Sequence, residues 1–266
     1  MTTESQQWIW ACLCSGDVLV CVGPEGISLP VGSEPPVALQ PWNIVTTIAD
    51  CKVVRLDRPV VDVAGMEMRG LRSTFSHLSG HEYALAGKAA ELIYWDANTR
   101  YCGCCGAPMR MHTEISKRCT ECGKEVWPQL ATAVIVRVTR QTDAAEEILL
   151  VRANNFRGPH YGLVAGFVET GETLEQAVRR EVSEETGLEI SDIRYFGSQP
   201  WPFPCGLMVG FTARYASGTI HLQRSELRDA GWFTADHLPA IPDKASIARQ
   251  LIDSWLEEKL SFYKIL

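Results

Sequence analysis

The chain has 266 residues, a length that suits about two domains. Hydrophobic residues make up 46% of it and charged residues 21%, which is typical of a globular protein with a real core and excludes a disordered chain. The formal net charge of −7 disfavours broad binding to polyanions such as nucleic acids. A phosphate-bearing substrate would therefore need local arginines or metal ions.

The sequence shows no targeting or membrane-spanning segment. Residues 1–10 lack the basic and long apolar stretches of a signal peptide, and no apolar run approaches the ~20 residues of a membrane helix. Ten cysteines without an export signal favour reduced thiols and metal ligands over disulfides. We therefore expect a cytoplasmic protein that has no membrane partner.

Short strands are predicted for the first region, residues 1–97. Short apolar runs alternate there with turn residues, a pattern that indicates strands and hairpins in a small β-rich N-terminal domain. Its last stretch, residues 81–95, has apolar residues at helical spacing. A helix is therefore expected to lead out of this domain.

A Cys- and Gly-rich segment follows at residues 98–129. It contains two Cys-x-x-Cys pairs separated by thirteen residues, and each pair offers two thiolates to a tetrahedral zinc ion. A site closed by four thiolates is structural, so we expect one structural zinc ion per chain. Disulfides or core thiols are the alternatives, and Cys104 is a competing ligand that would break the spacing. The predicted ligands are Cys102, Cys105, Cys119 and Cys122.

From residue 130 the pattern changes to longer strands and two helices, so residues 130–266 are expected to form the third domain. The coarse fold class is α+β. Strands are predicted at residues 131–140, 148–152, 193–197 and 207–215, and helices at 174–186 and 244–259.

The helix predicted at 174–186 gathers carboxylates on one face. Glu181 and Glu185 are four residues apart, so their Cβ atoms lie ~5–6 Å from each other, and Glu184 lies beside them. Like charges at this spacing repel, and a divalent cation removes the repulsion. Oxygen ligands that leave room for water and phosphate suit Mg²⁺ or Mn²⁺. The alternative is a solvated acidic face.

The segment that contains this helix resembles the sequence box of the Nudix hydrolase family. That box reads Gly, five residues, Glu, seven residues, and then Arg-Glu-aliphatic-x-Glu-Glu-x-Gly-aliphatic. Each fixed position is matched, by Gly166, Glu172, Arg180, Glu181, Val182, Glu184, Glu185, Gly187 and Leu188.

The resemblance implies a Nudix α/β/α sandwich with a mixed sheet, and a metal-dependent hydrolase of a nucleoside diphosphate linked to another group. It implies that Glu181, Glu185 and the main-chain carbonyl of Ala165 bind the catalytic metal, with Glu184 as a helper. It also implies that an ion pair between Arg180 and Glu172 orients the acidic cluster.

A second segment follows the box, Ser198-Gln-Pro-Trp-Pro-Phe-Pro204, in which prolines alternate with aromatic residues. Such a stiff loop between strands could present its rings to a base or a nicotinamide, or it could be a packed structural loop. The segment resembles the SQPWPFP motif of the NudC-type NADH pyrophosphatases. That subgroup also has a four-Cys zinc ribbon and a smaller N-terminal domain, in the order seen in this chain.

The subgroup resemblance implies further site residues. Glu226 matches a third metal-binding and catalytic Glu beyond the box, and a surface helix acid is the alternative. The implied substrate contacts are Arg72, Trp127, Gln199, Pro200, Trp201, Pro202, Phe203, Pro204, Cys205, Gly206 and Ala248.

Two positions depart from the subgroup. Gly206 stands where the subgroup has Ser, which removes a hydroxyl although the Gly206 N–H could still donate. The chain has Leu29-Pro30-Val31 where the subgroup often has Leu-Pro-Lys, so Val31 replaces the lysine and a basic contact is lost. These departures question affinity or substrate identity rather than reaction class.

The resemblance to this subgroup implies a homodimeric hydrolase that cleaves NADH or NAD⁺ to nicotinamide mononucleotide and AMP, with removal of NAD caps from RNA as a second role. One alternative is a Nudix hydrolase of ADP-ribose or another dinucleotide. The other is a non-catalytic Nudix protein that senses nucleotides or binds nucleic acid through its ribbon.

Overall fold

The computed structural model describes residues 6–156 and 158–263. The chain forms two compact units, one of Met1–Leu130 with Trp201–Cys205 and one of Ala131–Pro200 with Gly206–Leu266. The predicted ribbon, residues 98–129, lies within the first unit. The division into three domains at residues 97/98 and 129/130 remains a prediction.

In the described residues of the first unit, a sheet of seven strands confirms the β-rich prediction. Its strand order is β3-β2-β1-β6-β5, with β4 beside β1 and β7 beside β2. Strands β1 and β6 run parallel, and the other pairs are antiparallel. The strands are β1 (Trp8–Cys14), β2 (Asp17–Gly23), β3 (Gly26–Ser28), β4 (Val31–Gly32), β5 (Ile44–Ile48), β6 (Cys51–Arg55) and β7 (Met66–Gly70).

One long helix packs on this sheet. Helix α1 (Gly80–Asn98) includes the predicted residues 81–95, and it begins where Ser79 and Glu82 form a capping box. Its buried residues join the apolar face of the sheet in one core. A smaller antiparallel sheet follows, of β8 (Met109–Thr113), β9 (Ser116–Cys119) and β10 (Glu125–Val126).

In the described residues of the second unit, a mixed sheet of six strands lies between two helices. Its order is β14-β15-β11-β12-β16 with β13 beside β11, and β11 and β15 run parallel. The elements are β11 (Ala131–Gln141), β12 (Glu146–Ala153), β13 (Val164–Phe167), α2 (Leu174–Thr186), β14 (Glu189–Trp201), β15 (Gly206–Ser217), β16 (Leu227–Phe233) and α3 (Ile247–Tyr263).

The two faces of this sheet form separate cores because side chains alternate along each strand. Val134 and Val136 of β11 pack on the α2 side with Val178, whereas Ile135 packs on the α3 side with Trp255. This arrangement is the predicted α/β/α sandwich. No helix in the described part of the chain is long and apolar enough to span a membrane.

One local prediction is wrong. The segment from Ser198 to Pro204 was expected to be a loop, but residues up to Trp201 belong to strand β14, and the turn to β15 occupies residues 202–205. Prolines fit here because β14 is an edge strand, so a missing N–H leaves no central ladder bond unmade.

Candidate active site

Helix α2 holds the acidic residues, and local sequence fixes both of its ends. Thr173 caps the N-terminus by accepting a hydrogen bond from the main-chain N–H of Gln176. Gly187 ends the helix in the left-handed conformation, with φ of 70°. The apolar face of the helix packs into the core through Ala177 and Val178. The opposite face is thereby set with its carboxylates at fixed positions.

Two of these carboxylates are buried, which is unusual for charged groups. Glu181 is 8% exposed and Glu185 is 5% exposed, whereas the side chain of Glu184 is 54% exposed. The carboxylate of Glu181 lies directly over Gly166, because a Cβ atom at Gly166 would be 2.0 Å from the Glu181 Cδ atom. The glycine of the box is therefore required by a close approach between strand β13 and helix α2.

Arg180 joins the acidic residues by charge-assisted hydrogen bonds. Its Nε donates to Glu172 Oε1 at 2.5 Å and its Nη2 to Glu172 Oε2 at 3.0 Å, so the predicted ion pair is present. Its Nη1 donates to Glu181 at 2.9 Å and to Glu184 at 3.1 Å, and its Nη2 to the Phe167 carbonyl at 2.9 Å. The hydrogen bonds from Arg180 lower the pKa of Glu172 to about 2. Glu172 thus stays ionised and holds Arg180 against the cluster.

Glu185 is the most deeply buried acid of the cluster. Burial raises its pKa to about 8, and the neighbouring charges of Glu181, Glu226 and Glu184 add to the shift. Burial also raises the pKa of Glu181, and Arg180 offsets only part of that effect. The Oε2 atom of Glu185 is buried and has no hydrogen-bond partner. A divalent cation would stabilise a buried carboxyl group that has an unpartnered oxygen and acidic neighbours.

Glu226 approaches this cluster from a separate turn. It lies in the turn before β16 rather than on a helix, and it is close enough to Glu185 to help raise the pKa of that carboxyl group. Ala165 precedes Gly166 in strand β13 and pairs with Ile135 of β11. The structure therefore brings Glu226 to Glu185, although the two residues are far apart in sequence.

The carboxyl oxygens of the acidic cluster are spaced more widely than the sulfur atoms of the cysteine cluster. Among the described residues, the four predicted cysteines are the one set of three or more His, Cys, Asp or Glu side chains whose ligand atoms all lie within 4.8 Å of each other. The acidic residues do not meet this spacing, so burial and charge are what point to a cation site there.

The four predicted zinc ligands come together in the first unit. The sulfur atoms of Cys105 and Cys119 are 3.4 Å apart, and those of Cys102 and Cys122 are 3.6 Å apart. Cys104 is exposed, and it is its main-chain N–H that reaches the Cys102 sulfur, at 3.4 Å. The cluster therefore fits a tetrahedral zinc ion without Cys104.

The pKa values of two thiols in this cluster are shifted in opposite directions. Main-chain hydrogen bonds from Glu121 and Cys122 lower the pKa of Cys119 to about 6. A main-chain hydrogen bond from Lys124 lowers the pKa of Cys122, but the neighbouring thiols outweigh it and raise that pKa to about 12. A bound zinc ion would stabilise the deprotonated form of these crowded thiols.

The side chain of Gln199 is used within the second unit. Its Nε2 donates to the Ala245 carbonyl at 2.9 Å, and its Oε1 accepts from the Ile247 N–H at 2.7 Å. Both ends of the amide therefore hold the N-terminus of helix α3, where Ala248 lies. Gln199 was predicted as a substrate contact; its internal partners lie more than 40 residues away in sequence, so no local pattern pointed to them.

The aromatic residues of the turn lie in the first unit. Phe203 is partly buried and packs against the core of that unit, which for this residue fits the alternative of a packed structural segment. Trp201 is half-buried, meets Phe203 edge-on at 5.2 Å and lies 5.1 Å from the Arg72 guanidinium carbon. Arg72 and Trp201 thus form a cation–π pair.

Trp127 lies elsewhere in the same unit and is 49% exposed. It lines a cavity of about 510 Å³ together with Tyr94, Glu91 and Cys205. The structure also shows where the two positions that depart from the subgroup lie. Gly206 begins β15 opposite Ala131, and Val31 is exposed in β4.

Comparison with known proteins agrees with this architecture. A family model described as the NUDIX domain matches residues 128–255. The chain is 42% identical over 208 residues to the NAD-capped RNA hydrolase NudC of Pseudomonas aeruginosa, which covers 78% of this chain and 73% of the relative.

Two further relatives have the same name. The NAD-capped RNA hydrolase NudC of Stutzerimonas stutzeri is 43% identical over 206 residues, 77% of this chain and 73% of its own. The NAD-capped RNA hydrolase NudC of Deinococcus radiodurans is 42% identical over 194 residues, which cover 73% of this chain and 69% of the relative. The matched length and the intact box together assign the protein: the chain belongs to the NudC-type branch of the Nudix hydrolase family.

Proposed function

We propose that this protein hydrolyses the pyrophosphate bond of NADH or NAD⁺, giving nicotinamide mononucleotide and AMP, and that it removes NAD caps from RNA. The observation that carries the proposal is the buried carboxyl group of Glu185, which has an unpartnered oxygen and three acidic neighbours. The names of the relatives support an NAD-linked substrate.

Glu181, Glu185, Glu226 and the main-chain carbonyl of Ala165 would hold the catalytic cation, Mg²⁺ or Mn²⁺. When bound, the cation supplies charge neutralisation for the diphosphate and lowers the pKa of a ligating water. Glu185 must release its proton as the cation binds, because its pKa is raised to about 8 in the metal-free protein. Metal binding should therefore release a proton near neutral pH.

Three other residues would keep this arrangement in place. Arg180, held by Glu172, neutralises part of the negative charge of Glu181 and keeps its carboxylate oriented. Glu184 accepts a hydrogen bond from Arg180, and its exposed carboxylate would also be accessible to a water or a phosphate group that enters the site. We assign it a helper role in catalysis.

The substrate contacts stay proposals, and the structure suggests different roles for them. Trp201 and Trp127 have partly exposed rings that suit stacking on a base or nicotinamide. Arg72 is exposed and could meet a phosphate group. Gln199 would act indirectly, by holding the start of α3 and hence Ala248. Pro200, Pro202, Phe203 and Pro204 would shape the loop, with Cys205 and Gly206 at its end.

We propose a structural zinc ion at Cys102, Cys105, Cys119 and Cys122, and a homodimer as the working assembly. The four sulfurs support the first proposal by their proximity. Sedimentation or light scattering of the purified protein measures the second, and a monomer at assay concentration would contradict it.

Product analysis tests the proposed reaction. The protein is incubated with NADH, ADP-ribose or NAD-capped RNA in Mn²⁺, and products are separated by chromatography. The expected result is reduced nicotinamide mononucleotide and AMP from NADH, and RNA with a 5′-monophosphate from the capped RNA. Efficient cleavage of ADP-ribose alone would assign the ADP-ribose alternative, and tight nucleotide binding without turnover would assign a sensor.

A further inference from the structure

We propose that Asn154 is a positioning residue for Glu226: it clamps the turn that presents this carboxyl group to the metal site. The inference rests on the proposed function, because it assumes that Glu226 is a metal ligand. Neither the Nudix box nor the SQPWPFP motif includes Asn154.

The geometry of strand β16 explains why a clamp is needed. Ala153 pairs with Leu227 and Arg152 pairs with Asp229, so the register between β12 and β16 shifts at this point. The shift leaves Arg228 as an extra residue between the two pairs, as in a β-bulge, and Ala153–Leu227 is the last pair before the turn. Glu226 comes directly before Leu227, beyond the regular ladder, and its turn requires other hydrogen bonds to fix its position.

Asn154 supplies these bonds with its main chain and its side chain. Its N–H donates to the Glu226 carbonyl at 2.7 Å. Its side-chain Nδ2 donates to two successive carbonyls, of Arg224 at 3.1 Å and of Ser225 at 2.9 Å. Its own carbonyl accepts from Arg228 Nη2 at 2.6 Å. One residue thus contacts four of the five residues from 224 to 228.

The other side of the turn is attached to helix α2. The N–H of Gln223 donates to the Glu185 carbonyl at 3.0 Å, and the carbonyl of Gln223 accepts from the N–H groups of Glu226 and Leu227, each at 2.9 Å. The turn therefore spans from the metal-site helix to Asn154. Its two attachments fix how far the Glu226 carboxyl group lies from that of Glu185.

This restraint keeps Glu226 in place before a cation binds. Glu226 lies in a turn, so its position depends on the hydrogen bonds that hold the turn at Asn154 and at Glu185. A loose turn would let Glu226 move away into solvent, and the cation would then have to bring it back. A clamped turn holds the carboxyl group near its binding position in advance.

Metal affinity and hydrogen exchange of Asn154→Ala test this role, with Asn155→Ala as the matched control. Asn155 is the adjacent exposed asparagine, outside the contacts described above. Loss of residues that orient metal ligands typically costs 10–100-fold in affinity, so Mn²⁺ binding to Asn154→Ala, measured by calorimetry, should weaken at least about tenfold. In the metal-free protein, the amides of residues 223–228 should exchange faster in this variant only.

Two results would overturn the proposal: wild-type Mn²⁺ affinity in Asn154→Ala, or an equal loss in Asn155→Ala. A merely structural role would lower the melting temperature and leave Mn²⁺ affinity unchanged. If Asn154→Ala does not fold, Asn154→Ser, which keeps one donor, is used with a smaller expected loss and the same contradicting results.

Glu226→Gln separates this inference from the proposed function. If Glu226→Gln weakens Mn²⁺ binding and Asn154→Ala does not, only the positioning role fails. If Glu226→Gln binds Mn²⁺ as the wild type does, Glu226 is not a ligand and both fail. In the double variant, Asn154→Ala should add no further loss to that of Glu226→Gln, because both changes act through the same ligand.

Discussion

Gly166 and Glu181 are in such close contact that no side chain fits between them: a Cβ atom on Gly166 would lie 2.0 Å from both the Cδ and the Oε1 of Glu181. The glycine belongs to strand β13 and the glutamate to helix α2, so the packing of strand on helix fixes the Glu181 carboxylate. The Gly and the Glu that stand fifteen residues apart in the Nudix box are therefore in direct contact in the fold.

Gly166→Ala should displace the Glu181 carboxylate while both elements remain folded. A misplacement of about 1 Å in an active site can cost about 100-fold in rate, and we expect kcat/KM for NADH to fall by that order. Gly197→Ala is the control, because a Cβ atom there meets nothing within 4 Å. Equal activity in the two variants would show that the contact has no functional role.

The metal-free protein should lose stability as pH rises. The pKa of Glu185 is raised from 4.5 to about 8, so its protonated form stabilises the native state fully below pH 4.5. That contribution is lost as pH rises through about 8, at about 1.4 kcal/mol for each pKa unit. The charges that act on Glu185 are those of Glu181, Glu226 and Glu184.

Thermal unfolding in a chelator between pH 5 and 9 measures this loss. The melting temperature of the wild type should fall across the range, and that of Glu185→Gln should fall less, since a neutral amide does not titrate. Added Mn²⁺ should stabilise the wild type most at the alkaline end. Parallel pH profiles for both proteins would contradict the assignment of the shift to Glu185.

Gln199→Ala should loosen the start of helix α3. The substitution removes two hydrogen bonds, one of which caps the helix at Ile247, and the loss of such a cap costs about 0.5–2 kcal/mol of unfolding free energy. Gln250→Ala, on the exposed face of the same helix, should change stability by less than about 0.5 kcal/mol. Denaturant unfolding of both variants measures the difference, and unchanged stability in Gln199→Ala would refute the positioning role.

Zinc content should distinguish Cys119 from Cys104. Cys119→Ser removes one of four converging sulfurs and should abolish stoichiometric zinc, with loss of stability, because structural zinc sites contribute roughly 10–16 kcal/mol of apparent binding energy. Cys104→Ser removes an exposed thiol outside the cluster and should retain one zinc per chain. Elemental analysis of both proteins decides, and full zinc content in Cys119→Ser would exclude the four-Cys site.

The elements that local signals define were predicted well from the sequence. Helix α2 has the predicted bounds, since Thr173 and Gly187 mark its two ends. The zinc ligands follow from their spacing, and the acidic face follows from helical periodicity.

What the sequence could not show depends on contacts between distant segments. Strand β14 extends to Trp201 because it is an edge strand that tolerates proline, and sheet order is not visible in a local pattern. The partners of Gln199 and Asn154 lie 46 and 70 or more residues away. Gln199 was therefore predicted only as a substrate contact, and no local pattern singled out Asn154.

Calorimetric titration of Mn²⁺ into the wild type and into Glu185→Gln tests the central claim most directly. We expect saturable binding to the wild type with release of a proton at pH 7, and binding to Glu185→Gln that is weaker by at least tenfold, with a matching loss of NADH cleavage. Glu175→Gln, an exposed acid on the same helix, should behave as the wild type. Equal Mn²⁺ affinity in Glu185→Gln and the wild type, with NADH cleavage intact in both, would contradict the account.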